Sequence, residues 1–165
     1  MKALVTGAAG FLGTAIARRL RSDGVFVRAF LRPGGQRPSE ADEAVTGDLR
    51  NIESLPQAFD GVDWVVHAGA RVSTSGAWEE FEATNVTATG ALIRMATAAA
   101  AKRIVHVSSL SVYAVPNDGA VVREDDPYDD GAEERGFYAR SKQAADRLAM
   151  AAIRCSLFGA QTSSI

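Results

Sequence analysis

At 165 residues the chain has room for one domain with a sizeable apolar core and hardly for two. Apolar residues make up 47% and charged residues 23%, with a net charge of −2. That balance argues against extensive disorder and gives no reason to expect nucleic acid or an anionic membrane as a partner. Cys155 alone excludes an internal disulfide, and no Cys/His cluster has zinc-ligand spacing, so no metal is expected.

The chain opens on a strand-like run, Lys2 to Val5, with no charged leader followed by an apolar segment. No apolar run reaches the roughly 20 residues that cross a bilayer. The expectation is a cytoplasmic protein without membrane contact. Further strands are predicted over 25–31, 44–46, 64–67 and 103–108, several as continuous Val/Ile/Leu runs of the kind buried on both faces. Between them helices are predicted over 10–22, 52–59 and 78–101, and a last one over 136–152. Short apolar runs alternating with amphipathic stretches form the pattern of βαβ units, hence an α/β fold with a parallel sheet. Residues 113–135, rich in Asp, Glu, Gly and Pro, read as a long surface loop.

The first strand runs into Thr6-Gly7-Ala8-Ala9-Gly10-Phe11-Leu12-Gly13. Glycines there allow a tight turn, a close backbone approach to a pyrophosphate and close packing of helix on strand, while the helix start offers free N–H groups. The spacing is Gly-x-x-Gly-x-x-Gly rather than Gly-x-Gly-x-x-Gly. A structural turn would use the same residues, but the placement between strand and helix favours dinucleotide binding.

The second strand ends in Leu31-Arg32-Pro33, where an acidic residue would select NAD through the ribose 2′-OH. Arg32, with Arg37 nearby, suits a 2′-phosphate, so NADP is preferred over NAD. A solvated loop cation is the alternative. After the third strand, Asp48 could accept from the adenine amino group or cap the helix beginning near Asn51. The fourth strand ends in His67-Ala68-Gly69-Ala70, small residues where a cofactor would cross the strand ends. No chemical role is assigned to His67 or His106.

Tyr138 and Lys142, in Tyr-Ala-Arg-Ser-Lys, stand one helical turn apart on one face. A phenol is a poor base at neutral pH, and a neighbouring ammonium favours its phenolate. Such a pair alone would more often be a surface pair. Here the fifth strand also ends in Ser108-Ser109-Leu110-Ser111-Val112-Tyr113, which brings hydroxyls to the sheet edge where α/β proteins bind ligands.

From Thr6 to about Leu148 these motifs resemble the extended short-chain dehydrogenase/reductase group, the NAD(P)-dependent epimerase/dehydratase family. The matches are the glycine turn, Asp48-Leu49, His-Ala-Gly-Ala from 67, Asn85-Val86, the serine run ending at Tyr113, and Tyr-x-x-x-Lys. The resemblance implies a Rossmann-type doubly wound parallel sheet. It implies cofactor contacts from Gly7, Gly10, Phe11, Leu12, Gly13, Arg32, Asp48, Leu49, Ala68, Gly69, Ala70, Tyr138 and Lys142. Asn85 would bind near the cofactor or brace the fold. Tyr138 would be the acid/base, Lys142 would hold the nicotinamide ribose and tune Tyr138, and Ser109 would orient the substrate oxygen.

The reaction implied is hydride transfer at a carbinol/carbonyl carbon of a small molecule, a ketone or alcohol or a sugar nucleotide. Reductase, epimerase and dehydratase outcomes stay open, as does a homodimer. Arg32 is closer to the dihydroflavonol reductase-like, NADP-using branch. The family pattern fades after about Ala152, where a sixth strand ending in Leu-Arg-Pro would follow. The expectation is therefore an incomplete NAD(P)-binding domain over 1–152 and an irregular tail over 153–165. The last strands and the substrate domain would be missing, and the fifth strand would be left as a sheet edge. A truncated or frame-shifted chain of this kind should bind cofactor poorly and turn over slowly unless a partner completes it. The alternative function is a non-catalytic dinucleotide-binding module or an inactive remnant.

Overall fold

The computed structural model describes residues 1–114, 120–155 and 161–164. Strands β1 (Lys2–Thr6), β2 (Phe26–Leu31), β3 (Glu43–Thr46), β4 (Trp64–His67), β5 (Arg103–His106) and β6 (Gln161–Ser164) form one sheet in the order β3-β2-β1-β4-β5-β6. Every neighbouring pair is parallel. Helix α1 (Phe11–Ser22) returns the chain from β1 to β2. On the way from β4 to β5 it passes through α2 (Trp78–Phe81) and α3 (Ala88–Ala98), and α4 (Phe137–Cys155) follows β5.

Successive side chains of a strand point to opposite faces, so continuous apolar runs feed two cores. Leu4, Val65 and Ile104 meet Leu92 and Phe59 on one face. Val5, Val27, Ala29 and Val66 meet Ala17, Ile16 and Leu20 of α1 on the other. Each fully buried branched side chain contributes about 1.5–3 kcal/mol, so covering both faces outweighs the weaker pairing of parallel strands. The order of the strands reverses between β1 and β4, and a doubly wound sheet opens its ligand crevice at that point.

Three expectations need correction. The tail expected to be irregular continues α4 to Cys155 and supplies β6, paired with β5 from Arg103↔Gln161 to His106↔Ser164. Strand β5 is therefore not an edge. Main-chain hydrogen bonds carry such a strand, and Gln-Thr-Ser-Ser has no apolar alternation to announce it. Residues 156–160 and 165 of that tail lie outside the described residues.

The helix expected over 52–59 is two 3-10 turns, Ile52–Ser54 and Pro56–Phe59, because Pro56 has no N–H to continue the first. The helix expected over 78–101 contains a π turn, Glu82–Thr87, and stops at Ala98. Its end is a Schellman motif: Ala101 N–H donates to Ala96 (2.9 Å), and Ala100 N–H donates to Thr97 (3.0 Å) with Ala100 at φ 53°. Glycine usually takes that position, so an alanine run gave no stop signal.

The described part of the 113–135 loop is sewn to α4. Tyr113 and Tyr128 stack at 5.9 Å, the Tyr128 hydroxyl donates to Asp146 (2.7 Å), and Gln143 donates to the Val112 and Asp129 carbonyls. Residues 115–119 of the loop lie outside the described residues.

Candidate functional site

Two clusters line the C-terminal ends of the strands. At β1 the backbone itself forms the first. Gly7 takes φ +68°, and a Cβ on it would lie 2.8 Å from the Ala68 carbonyl and the Gly69 nitrogen. A Cβ on Gly13 would lie 2.0 Å from the Gly7 oxygen. Gly10 donates back to the Gly7 carbonyl (2.9 Å) and, as N-cap of α1, has no side chain to satisfy the first-turn N–H groups. An open amide cradle results at a helix N-terminus. Phe11 beside it is 98% exposed and Leu12 is 46% exposed, an unusual cost for two large apolar side chains unless something covers them.

A buried chain of hydrogen bonds ties this turn to β4 and α3. Thr89 donates to the Asn85 carbonyl (2.6 Å), so its Oγ1 accepts from His67 Nε2 (2.9 Å). His67 Nδ1 is then the acceptor for the Thr6 hydroxyl (2.7 Å), and Thr6 Oγ1 accepts from Gly69 N–H (3.0 Å). Burial, then the neighbouring His106 and Lys142, hold His67 well below its ordinary pKa, in keeping with a neutral ring. The link fixes the Ala68-Gly69-Ala70 segment against Gly7. It gives His67 a structural use.

Around the edge of the sheet, Leu49 packs on the core beneath Gly69. Asp48 is committed to Arg50: it accepts from the Arg50 amide (2.9 Å) and guanidinium (2.7 Å), and this pairing holds the carboxyl below its usual range. Asn51, not Asp48, caps the following turn, accepting from Glu53 N–H (3.2 Å). Arg37 turns back to the Ala41 and Asp42 carbonyls, which leaves it unsuited to a ligand. Arg32 is exposed and lies close enough to Asp48 for their charges to interact; its carbonyl accepts from the Gly35 amide (2.9 Å), and its guanidinium has no hydrogen bond or ion pair among the described residues.

The second cluster depends on α4. Lys142 is buried, with Nζ 2.6 Å from the Val107 carbonyl at the end of β5. Burial lowers its pKa to about 8, against the opposing pull of Asp146. Tyr138, one turn earlier, lines a cavity of about 600 Å³ together with Val72, Thr74, Phe81, Ser111 and Phe137. Ser109 stands one hydrogen bond behind that wall: the Ser111 hydroxyl donates to its Oγ (2.9 Å), as does the Ser111 amide (3.2 Å).

Asn85 sits in the π turn with its amide fully engaged. Its Oδ1 accepts from Arg71 N–H (2.7 Å), and its Nδ2 donates to the Arg71 carbonyl (3.1 Å) and to Ser141 (2.9 Å). Of the two readings open for Asn85, the geometry is that of a brace joining the loop after β4 to α4.

The structure thus gathers Ser109, Tyr138 and Lys142 about the end of β5, and gathers Gly7, Gly10, Gly13 and residues 68–70 about the end of β1. Arg32 and Asp48 are placed together beyond β2 and β3. Sequence reasoning passed over Thr6, Arg71, Ser111 and Ser141. Thr6, Ser111 and Ser141 lie within motifs already singled out, whereas Arg71 lies in none, and the partners of Thr6 and Arg71 are distant in sequence.

Together the sheet order, the glycine turn at the switch point and the hydroxyl–lysine cluster define a doubly wound nucleotide-fold enzyme domain. The chain belongs to the NAD dependent epimerase/dehydratase family, whose model matches residues 3–158. It is a family of enzymes. A 2-alkyl-3-oxoalkanoate reductase of Shewanella oneidensis is 33% identical over 156 residues, 93% of this chain and 40% of that protein. A short-chain dehydrogenase/reductase superfamily protein of Agrobacterium tumefaciens, solved with bound NAD, superposes with TM-score 0.83 at 32% identity over 99% of this chain and 48% of that one. MoeE5 in complex with UDP-glucose and NAD gives TM-score 0.78 at 29% identity, over 99% and 53%. The chain spans less than half the length of the curated relatives it matches. No described helix is long and apolar enough to cross a membrane, and the described residues contain no metal-ligand cluster.

Proposed function

We propose that the chain binds NAD(P) across the ends of β1 and β4 and serves hydride transfer at a carbinol/carbonyl carbon of a small molecule. The observation that carries this reading is the cradle at Gly7 and Gly13, where any Cβ would fall within 2.8 Å of backbone. Backbone amides held that close, at an uncapped helix start, fit a pyrophosphate. When bound, the nicotinamide supplies or takes up the hydride. The chain's own residues then have distinct tasks. Tyr138, on the cavity wall, gives its hydroxyl proton to the substrate oxygen in reduction and recovers it in oxidation. Lys142, anchored by one N–H on Val107, keeps its other N–H groups for the nicotinamide ribose. Ser109 orients the substrate oxygen.

Arg32, without an ion-pair partner among the described residues, is the group that would meet a 2′-phosphate, so NADP is the preferred cofactor. Asp48 would receive the adenine amino group on the lone pairs left by Arg50. The reductase among the relatives favours a ketone or its alcohol over a sugar nucleotide.

Parallel titration of the purified chain with NADP and NAD, followed by intrinsic fluorescence, is the first test. Tighter NADP binding that vanishes in Arg32→Ala is expected, and equal affinities would remove NADP selection. Turnover of a ketone should drop by about 100-fold or more in Tyr138→Phe. Undiminished turnover in that variant would end the acid/base assignment.

A further inference from the structure

We infer that Ser111 is a positioning residue that makes Ser109 an obligate hydrogen-bond donor, so that the site selects a substrate presenting an oxygen acceptor between Ser109 and Tyr138. The inference rests on the function proposed above and adds a residue to it. A serine oxygen has two lone pairs and one proton. Both lone pairs of Ser109 Oγ are occupied, one by the Ser111 amide at 3.2 Å and one by the Ser111 hydroxyl at 2.9 Å. Its proton has no acceptor among the described residues and can only be donated to an incoming group. A hydroxyl that already accepts two hydrogen bonds is also a stronger donor, because the bonds polarise one another.

Closing the 3-10 turn Leu110–Val112 needs only the amide half of this arrangement, since Ser109 caps that turn by accepting from Ser111 N–H. The hydroxyl half is surplus to the cap. It also lies where chemistry would use it, because Ser111 lines the same cavity as Tyr138. The turn is pinned from outside as well. Arg135 donates to the Ser111 carbonyl (2.7 Å) and the Tyr113 carbonyl (3.0 Å) while paired with Asp129. The backbone that carries Ser111 is therefore held in place, and the Ser111 hydroxyl links Ser109 to the cavity that Tyr138 lines.

Neutron diffraction from crystals of the 165-residue chain, exchanged into D2O, tests the geometry directly. The Ser111 deuteron should lie on the line to Ser109 Oγ and the Ser109 deuteron should point away from Ser111. A Ser109 deuteron directed at Ser111 overturns the inference whatever the activity. Ketone reduction by Ser111→Ala, Ser111→Thr and Ser109→Ala tests the role. Ser111→Ala should fold with unchanged stability and lose about fivefold in kcat with KM within twofold. Ser111→Thr, which keeps the hydroxyl, should recover most of the loss, and Ser109→Ala should lose more than either. Normal kcat in Ser111→Ala beside an impaired Ser109→Ala overturns this inference alone. Normal turnover in both Ser109→Ala and Tyr138→Phe, or none in the unaltered chain, overturns the underlying function with it.

Discussion

At the end of β1 the site is shaped by absent side chains, and at the end of β5 by side chains that arrive from far along the chain. Gly7, Gly10 and Gly13 bring backbone against backbone within a single strand–turn–helix unit. Lys142 reaches Val107 across 35 residues, and Asn85 reaches Ser141 across 56. At Gly7 and Gly13 the first region leaves no room for an added atom. The second tolerates shape changes but demands that every buried polar group keep its partner. One is governed by steric exclusion, the other by hydrogen-bond accounting, and substitutions in each should fail differently.

Gly13→Ala should have the largest effect, because its Cβ would sit 2.0 Å from the Gly7 oxygen. A loss of roughly 3 kcal/mol or more is expected in urea unfolding, together with loss of cofactor binding. Near-normal stability would show that the turn is not sterically closed.

The second cluster is sensitive to pH. His106 is buried, both its ring nitrogens lack hydrogen-bond partners among the described residues, and burial lowers its pKa to about 4 from 6.5, with Lys142 adding to the shift. The unfolded chain therefore binds this proton first, and stability falls as the pH drops from 6.5 toward 4, by at most about 3 kcal/mol from this group. His106→Leu should flatten the decline of Tm over that window while leaving the midpoint near pH 7.5 unchanged or higher. An equally steep decline in the variant would remove His106 as its source.

Asn85→Ala should cost about 2 kcal/mol, because it strands the half-buried Arg71 amide and carbonyl and takes away the donor to Ser141 Oγ, which keeps only its own bond to the Tyr138 carbonyl. Hydrogen exchange should then rise in the loop after β4 and in the first turns of α4 but not in α1. Uniform loosening would break the division drawn between the two regions. The smallest effect belongs to Gly24→Ala. Gly24 has φ +76° like Gly7, but an added Cβ would meet nothing within 4 Å. Only the backbone conformation resists it, at about 1 kcal/mol. A loss as large as that of Gly7→Ala would mean that φ, and not contact, governs Gly7.

The same division explains how much could be read before the structure. The glycine turn, the βαβ rhythm and the Tyr138–Lys142 spacing are local patterns, and strand, turn and helix periods are set by residues close in sequence. Strand β6 left no trace because its partner is main chain, and the π turn and the Ala100 stop left none because no glycine or proline marks them. Asp48 and Asn85 were recognised as motif residues, but their engagement with Arg50, Arg71 and Ser141 depends on which neighbours the fold supplies.

By itself the sequence determined the α/β class, the order of the elements as far as α4 and the residue types that can do chemistry, because those follow from local sterics and hydrophobic period. Only the tertiary structure decided which of those residues are free to act. Packing consumes Asn85 as a brace, ties Arg37 to its own loop, pairs Asp48 with Arg50 and fixes His67 as a neutral relay between Thr6 and Thr89. Among the described residues it leaves the Arg32 guanidinium, the Ser109 proton and the Tyr138 hydroxyl without a protein partner. A buried polar group must find a partner, and folding settles whether that partner is the protein itself or a ligand.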